Sequence, residues 1–442
     1  MQNKNILRII SSLSTAILLI LSLSVFVQLS SLRISADDGL ESTLDNAGVA
    51  YIYNIENDTA IAEKNEFKII STGASTKIMT GLLAIEHLGD DLDQKITVTK
   101  EMLEKASGRQ KGFVVGEVVT VRQMLYATIC GGYNDSACIL AFTVADSYED
   151  FIDMMNSRAT ELGAKNTVYL NATGINEIGM YTTAADIAII ARAAYESSIF
   201  SDICNADRYT MDKTNKSDAR LIPNRNSLVS TYYYTKYYNK YAYGMCVGSD
   251  NEGFGIVTVA KKSGLTYICV FMQIENEDVG YTLANNCINY FMSNYGYVKL
   301  IGSYDQICTV KVNLADKKSE INLVPQSDIN IFMPLYINTE TDIKYSYSLN
   351  SDSIDAPVKE GQVCGLLTVI NKNDNSVLAS VNLVASEDAE QGAILGALAA
   401  IGNYTSGRAF RATLVFLALA AVIFFSVRYV RSKKNKRRRN YF

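Results

Sequence analysis

A single histidine, His87, stands in the 442 residues of this chain. With so little imidazole, Ser-His-Asp and Cys-His catalytic sites and the common His-rich zinc sites are set aside. The eight cysteines (130, 138, 204, 246, 269, 287, 308 and 364) form no CxxC pair, so the usual metal and thiol-redox spacings are missing too. Cys130, Cys138 and Cys269 fall in apolar segments and read as small buried hydrophobes, not as a disulfide framework. Positive charge is short across the middle of the chain. Residues 36–410 carry all 46 acids but 29 of the 41 bases, a net of −17. A field of that sign argues against nucleic acid or another polyanion as partner. No residue pattern calls for a metal or a cofactor.

The two ends are apolar. Residues 1–27 place Lys4 and Arg8 before the run ILLILSLSVFV, so residues 1–35 read as a signal peptide or a retained membrane anchor. Residues 412–427 are sixteen apolar or small residues without a charge, which with their flanks approach the ~20 needed to cross a bilayer. Eight basic residues and no acid follow, from Arg428 to Arg439. Such a flank predicts a cytoplasmic tail over 428–442 and main domains outside the cell.

Between the ends, 48% hydrophobic content can fill more than one core. Residues 49–55, 59–63 and 67–70 read as a strand-turn-strand opening. An apolar helix follows TGASTKIMT (72–80) and ends near Gly89. Thr120 and Gln123 have capping-box spacing before MLYATIC, and Asn134 or Asp135 can cap SACILAFTVA. A helix over 148–162 closes on Gly163, and Thr183 starts another. The run GIVTVA-KKSG-LTYICVFM reads as a hairpin, and a helix over about 281–295 ends the unit. From 299 the pattern changes to short strands (ICTVKV, SEINLV, IKYSYSL, VCGLLTVI, VLASVNLV), which predict a small β-sandwich over 299–388. Residues 389–411 form a linker, within which GAILGALAAI suits a short helix lying on the membrane.

The chemistry concentrates at Lys77. A Ser three residues before a Lys on a helix shares its face, and a Lys of lowered pKa can then take the Ser proton as it attacks a carbonyl. Here the residue three before Lys77 is Ala74, with Ser75 and Thr76 out of phase. Taken with the collinear blocks FVVGEVVTVRQMLYATI, NDSACILA, FIDMMNSRATELGAKNT, TTAADIAIIA and APVKEGQVCGLLTVI, the chain resembles the D-alanyl-D-alanine carboxypeptidases, low-molecular-mass penicillin-binding proteins of the serine peptidase group, over about 45–388. The resemblance implies an α/β fold: a penicillin-binding-protein/β-lactamase-like transpeptidase domain over 45–297, an antiparallel sheet flanked by helices. A small all-β domain follows, with transmembrane segments at both ends.

The resemblance also implies where the site lies. The family's second motif, Ser-x-Asn, maps to Gly132-Tyr133-Asn134, keeping Asn134 and losing the proton-relay hydroxyl. The third, Lys-Thr-Gly, maps to Cys246, Val247 and Gly248, keeping only the glycine that lets the strand approach a ligand. Each motif thus lacks its reactive atom. The expectation is a membrane-anchored pseudoenzyme acting in peptidoglycan binding or regulation, with peptidoglycan or a cell-wall peptide, the membrane and a protein of the cell envelope as partners. The alternative is an active carboxypeptidase trimming stem peptides through Ser75 with Lys77 as base. Cys246 as a nucleophile is a third reading, against that of a residue filling space. Lys77 and Asn134 are read either as remnants of substrate binding or as a buried hydrogen-bonded pair. The seven tyrosines between Tyr232 and Tyr243 suit either sugar stacking or packing on their own domain.

Overall fold

The computed structural model describes residues 43–394, 397 and 408–439. The expected N-terminal anchor and most of GAILGALAAI lie outside the described residues. Contacts divide the chain into two units after Gly296.

The first unit opens with β1 (Ala47–Asn54) and β2 (Thr59–Lys64). Residues 67–70 do not continue this as a strand: Ile70 makes only an isolated bridge to Thr182. A 3-10 turn over Gly73–Ser75 leads into α1 (Thr76–Leu88). All residues of α1 from Thr76 to Ile85 are buried, as its all-round apolar sequence requires. After β3 (Lys95–Thr97), α2 (Lys100–Glu104) and β4 (Val118–Thr120) comes α3 (Val121–Ile129). Its capping box is formed as expected: Gln123 N–H donates to Thr120 Oγ1 at 3.2 Å, and Thr120 N–H to Gln123 Oε1 at 2.9 Å.

The next helix, α4 (Asn134–Val144), corrects an expectation. Its N-cap is Tyr133, without a side-chain cap bond. Asn134 and Asp135 turn instead to the loop before α3. Then follow α5 (Tyr148–Leu162), closed by Gly163 in the left-handed region, α6 (Ala184–Glu196), capped by Thr183, and α7 (Ser198–Cys204). A small ladder of β5 (Arg208–Met211) and β6 (Arg220–Pro223) precedes β7 (Ala242–Asp250), β8 (Gly253–Lys262) and β9 (Leu265–Ile274). The β8–β9 turn has Ser263 and Gly264 at positive φ, the primed hairpin geometry that KKSG favours.

The main sheet runs β2-β1-β9-β8-β7, so β7 is an edge strand. Helix α8 (Glu277–Asn294) packs on β8 and β9, while α6 packs on β1 and β9. Covered on both faces, β8 and β9 are buried almost throughout, which explains their unbroken apolar runs. Helix α8 starts earlier than the apolar pattern suggests because Asn276 caps it, accepting from Val279 N–H at 3.0 Å.

Among the described residues, the second unit is built of strands as far as residue 385. Strands β10 (Tyr295–Ile301) and β13 (Ile329–Pro334) form one pair. The others are β11 (Cys308–Asn313), β12 (Glu320–Pro325), β14 (Ile343–Leu349), β15 (Ser353–Asp355), β16 (Val363–Asn371) and β17 (Val377–Ala385). They make a six-stranded sheet ordered β14-β16-β17-β12-β11-β15. Leu323, Leu367, Val369 and Leu383 are fully buried in it. Helix α9 (Arg408–Arg439) contains Arg411–Arg428, long and apolar enough to cross a bilayer.

Candidate active site

The floor of the site is the junction of the 3-10 turn with α1. Ala74 is half-buried there, and Lys77 sits on the first turn of α1 and is buried. Ala74, Lys77, Gly132, Cys246 and Val247 line one cavity of about 20 Å³, room for a single water. Ser75 is not among its lining residues. Its hydroxyl donates back to Thr72 C=O at 2.5 Å, and it lines an adjoining recess that shares Ala74 and Cys246 with this cavity and reaches Gly248. Thr76 Oγ1 is likewise taken up, by Thr72 Oγ1 at 2.9 Å.

Lys77 reaches across the fold. Its ammonium donates to Thr173 C=O at 2.5 Å. That carbonyl is presented by a loop stapled by Asn171, whose Oδ1 accepts from Thr173 N–H at 3.1 Å and Gly174 N–H at 2.8 Å. Thr80 ties the same loop to α1 through Ala172 C=O at 2.8 Å. Burial pushes the Lys77 pKa down to about 8; the cations Arg225 and Arg109 push the same way and Cys246 opposes. Asn134 is not its partner. The Asn134 amide donates to Ser107 C=O at 2.6 Å, and Asp135, wholly buried, accepts from Lys111 N–H at 2.9 Å and Gly112 N–H at 2.8 Å. Together they pin the loop before α3 over the start of α4. Tyr133 is buried, with Arg109 4.8 Å and Lys111 5.4 Å from its ring centre. Its ring is thus held by cations (Arg109 and Lys111), and Tyr133 is not among the side chains lining the cavity.

Nothing in the residue pattern of NRNSLV singled out Arg225, yet Arg225 lines the cavity beside Lys77. Asn224 fixes this turn by donating to Cys204 C=O at 2.8 Å and Ala206 C=O at 2.9 Å. Tyr281 on α8 donates to Arg225 C=O at 3.0 Å. Burial, with Arg109 nearby, holds the Arg225 guanidinium below its ordinary pKa. The only detectable signal was two asparagines flanking an arginine before an apolar run, a pattern suited to side-chain-to-backbone turns.

The edge strand β7 forms the wall. A Cβ built on Gly248 would come 2.7 Å from Ala74 Cβ, so only glycine lets strand and turn approach this closely. Gly248→Ala is expected to lower stability by about 1–3 kcal/mol, the ordinary cost of overpacking, as read by urea denaturation. An unchanged midpoint would show that the turn moves freely. Cys246 is half-buried, and its surroundings push the thiol up to about 12 despite the attraction of Lys77. A thiol so reluctant to ionise is a poor nucleophile at neutral pH.

Chemically, the cavity offers two cations, no carboxylate among its lining residues and no hydroxyl at position 74. Among the described residues no group of His, Cys, Asp or Glu side chains is placed to hold a metal ion.

Comparison with known proteins places this architecture. The D-alanyl-D-alanine carboxypeptidase family model matches residues 42–276, and a model of the penicillin-binding protein 5 C-terminal domain matches 295–391. The chain is similar to D-alanyl-D-alanine carboxypeptidase DacF of Bacillus subtilis, 29% identical over 341 residues covering 76% of this chain and 84% of that one. It is similar to the D-alanyl-D-alanine carboxypeptidase of Streptomyces sp. strain K15, 31% identical over 216 residues, 45% of this chain and 70% of that one. The fold is shared with the solved structure of the D-alanyl-D-alanine carboxypeptidase DacD of Francisella tularensis, at a TM-score of 0.59 and 19% identity, covering 83% of this chain and 97% of that one. Two consecutive family matches run through both units in the order the strands and helices require, and on that ground the chain belongs to the D-alanyl-D-alanine carboxypeptidase family of cell-wall synthesis, the low-molecular-mass penicillin-binding proteins.

Proposed function

We propose that this chain is a membrane-anchored member of the family that has lost its peptidase activity and holds peptidoglycan or regulates its processing. One observation carries the reading: the side chain that shares a cavity with Lys77 at the nucleophile position is the methyl of Ala74. Loss of the nucleophile alone costs on the order of a million-fold in serine hydrolases. Gly132, Cys246 and Val247 line the same cavity without a relay hydroxyl, a third-motif ammonium or a carboxylate-binding hydroxyl. Lys77, Asn134 and Gly248 keep the shape of the cleft, and Arg225 keeps a cation in it. The apolar span Arg411–Arg428, followed by a run of basic residues, supports an anchor with its tail in the cytoplasm. The N-terminal segment 1–35 would add a second anchor if retained. The recognised partner is the peptidoglycan stem peptide, with a cell-envelope protein as the other candidate.

The test is labelling with a fluorescent penicillin beside an active homologue. The homologue is expected to label, and the intact mass of this chain to stay unchanged. A single mass shift by the drug overturns the reading. Hydrolysis of a D-Ala-D-Ala peptide that disappears in Ser75→Ala would replace it with the active alternative; Ser75 donating to Thr72 C=O weighs against that outcome.

A further inference from the structure

The tyrosine-rich segment after the Arg225 turn is left unused by the cleft chemistry. Its backbone is firmly built. Tyr237 is buried with its ring 4.8 Å from that of Tyr281, and its hydroxyl donates to Asp278. Asn239 donates to Asn285 at 2.8 Å, and Asn285 in turn donates to Tyr237 C=O at 2.8 Å. Asp207 holds the start of the segment, accepting from Ser230 Oγ at 2.8 Å and Thr231 N–H at 3.1 Å.

On this rigid base four rings are left to solvent: Tyr232, Tyr233, Tyr234 and Tyr238 are each 44–52% exposed. A segment that served only to pack on its own domain would turn these rings inward, as Tyr237 is turned. Tyr232 and Tyr233 stand at 90° with centres 5.0 Å apart, so neighbouring rings present faces in different directions. The platform also continues into the cleft. Tyr281, which supports Tyr237, is the residue that holds Arg225 C=O.

The charges around the rings select the ligand. Arg208 is paired with Asp207 at 2.6 Å and lies over Tyr232; Lys236 is paired with Asp278 at 2.6 Å. These cations are already engaged, and residues 36–410 carry a net charge of −17. A polyanion is disfavoured. What remains is a cluster of exposed aromatic rings facing in different directions, one of them with Arg208 over it, edged by phenol hydroxyls and suited to a ligand with apolar C–H faces and many hydroxyls. We infer that the exposed tyrosines Tyr232, Tyr233, Tyr234 and Tyr238 form a platform that stacks the sugar rings of an uncharged glycan strand running past the cleft. The inference deepens the wall-binding reading above and rests on it for the wall as the source of the glycan.

The chain has 28 tyrosines and no tryptophan, so its intrinsic fluorescence reports on tyrosine alone. The full chain in detergent is titrated with chitotetraose, a soluble β-linked N-acetylglucosamine tetramer without a peptide. A saturable fluorescence change is expected, weakened about tenfold or more when three faces are removed in the triple variant Tyr232→Ser, Tyr233→Ser, Tyr234→Ser. Tyr304→Ser, at a 94% exposed tyrosine of the second unit outside the platform, is expected to bind like the parent. Should the triple variant melt early, the single changes Tyr233→Ser and Tyr238→Ser give the same reading with less disturbance. Absence of binding overturns the inference, as does binding that the triple variant retains within twofold, or binding seen only with a stem peptide. Penicillin labelling of the same sample keeps the two readings apart: an acylated chain removes the inactive reading and leaves the glycan result standing.

Discussion

Ala74→Ser, combined with Cys246→Lys and Val247→Thr, is expected to make penicillin acylate a chain that, on the inactive reading proposed above, it leaves unmarked. The new hydroxyl enters the cavity that Lys77 already lines. Burial holds that lysine near a pKa of about 8, so a fraction is free base at neutral pH and can take the serine proton. A second ammonium at position 246 pushes the lysine further in the same direction. The gain in acylation rate runs up to on the order of a million-fold, the size of effect that a nucleophile controls in serine hydrolases. The rate should climb with pH through the lysine pKa. Gly132 is best left alone, because its φ of +66° would strain a serine there by roughly 1–2 kcal/mol. A time course of intact mass decides it. No adduct on the triple variant after prolonged exposure would mean that the register of Ala74 against Lys77 is misread.

Lys77→Met should make the protein more stable. In this fold the ammonium is buried with one carbonyl, that of Thr173, as its partner. Its pKa falls from 10.5 to about 8, which means that the charged form costs about 3 kcal/mol on folding. The sign follows directly. Below pH 8 native and unfolded chains both hold the proton and the full cost is present. Between about 8 and 10.5 the unfolded chain still holds a proton that the native chain has shed, so stability rises with pH and the cost is relieved. Methionine removes the cost, while leaving the Thr173 carbonyl without its donor gives back about 1 kcal/mol. The net gain of about 2 kcal/mol corresponds to a rise of roughly 4–8 °C in Tm at pH 7. The variant should also lose the upward slope between pH 8 and 10.5. A fall in Tm would mean that the charge is stabilised by more than this one carbonyl, and would return Lys77 to the list of groups selected for a ligand.

Both predictions depend on elements that differ in how they could be read. Thr120 with Gln123, Thr183 and Gly163 marked helix ends because capping is a contact among residues within one turn. Ser263-Gly264 marked a hairpin for the same local reason. Tyr133 did not advertise itself as an N-cap, since it caps through backbone alone and frees Asn134 and Asp135 to bind a loop more than twenty positions earlier. Strand β13 was hidden between prolines in a stretch of mixed polarity, and its partner β10 was masked by the end of α8.

The spacing of Ala74 from Lys77, and the residue types at 132, 246 and 247, are covalent facts. Helix geometry turns the first into a shared face without any knowledge of the rest of the chain. That is why the absence of a hydroxyl at position 74 could be read from the sequence by itself. The acceptor of the Lys77 proton, the seat of Arg225 and the outward turn of four tyrosines were decided only by tertiary structure. Each depends on which distant loop is brought alongside, Thr173 lying 96 positions from Lys77, and such pairings are set by the packing of whole elements, which no local pattern encodes.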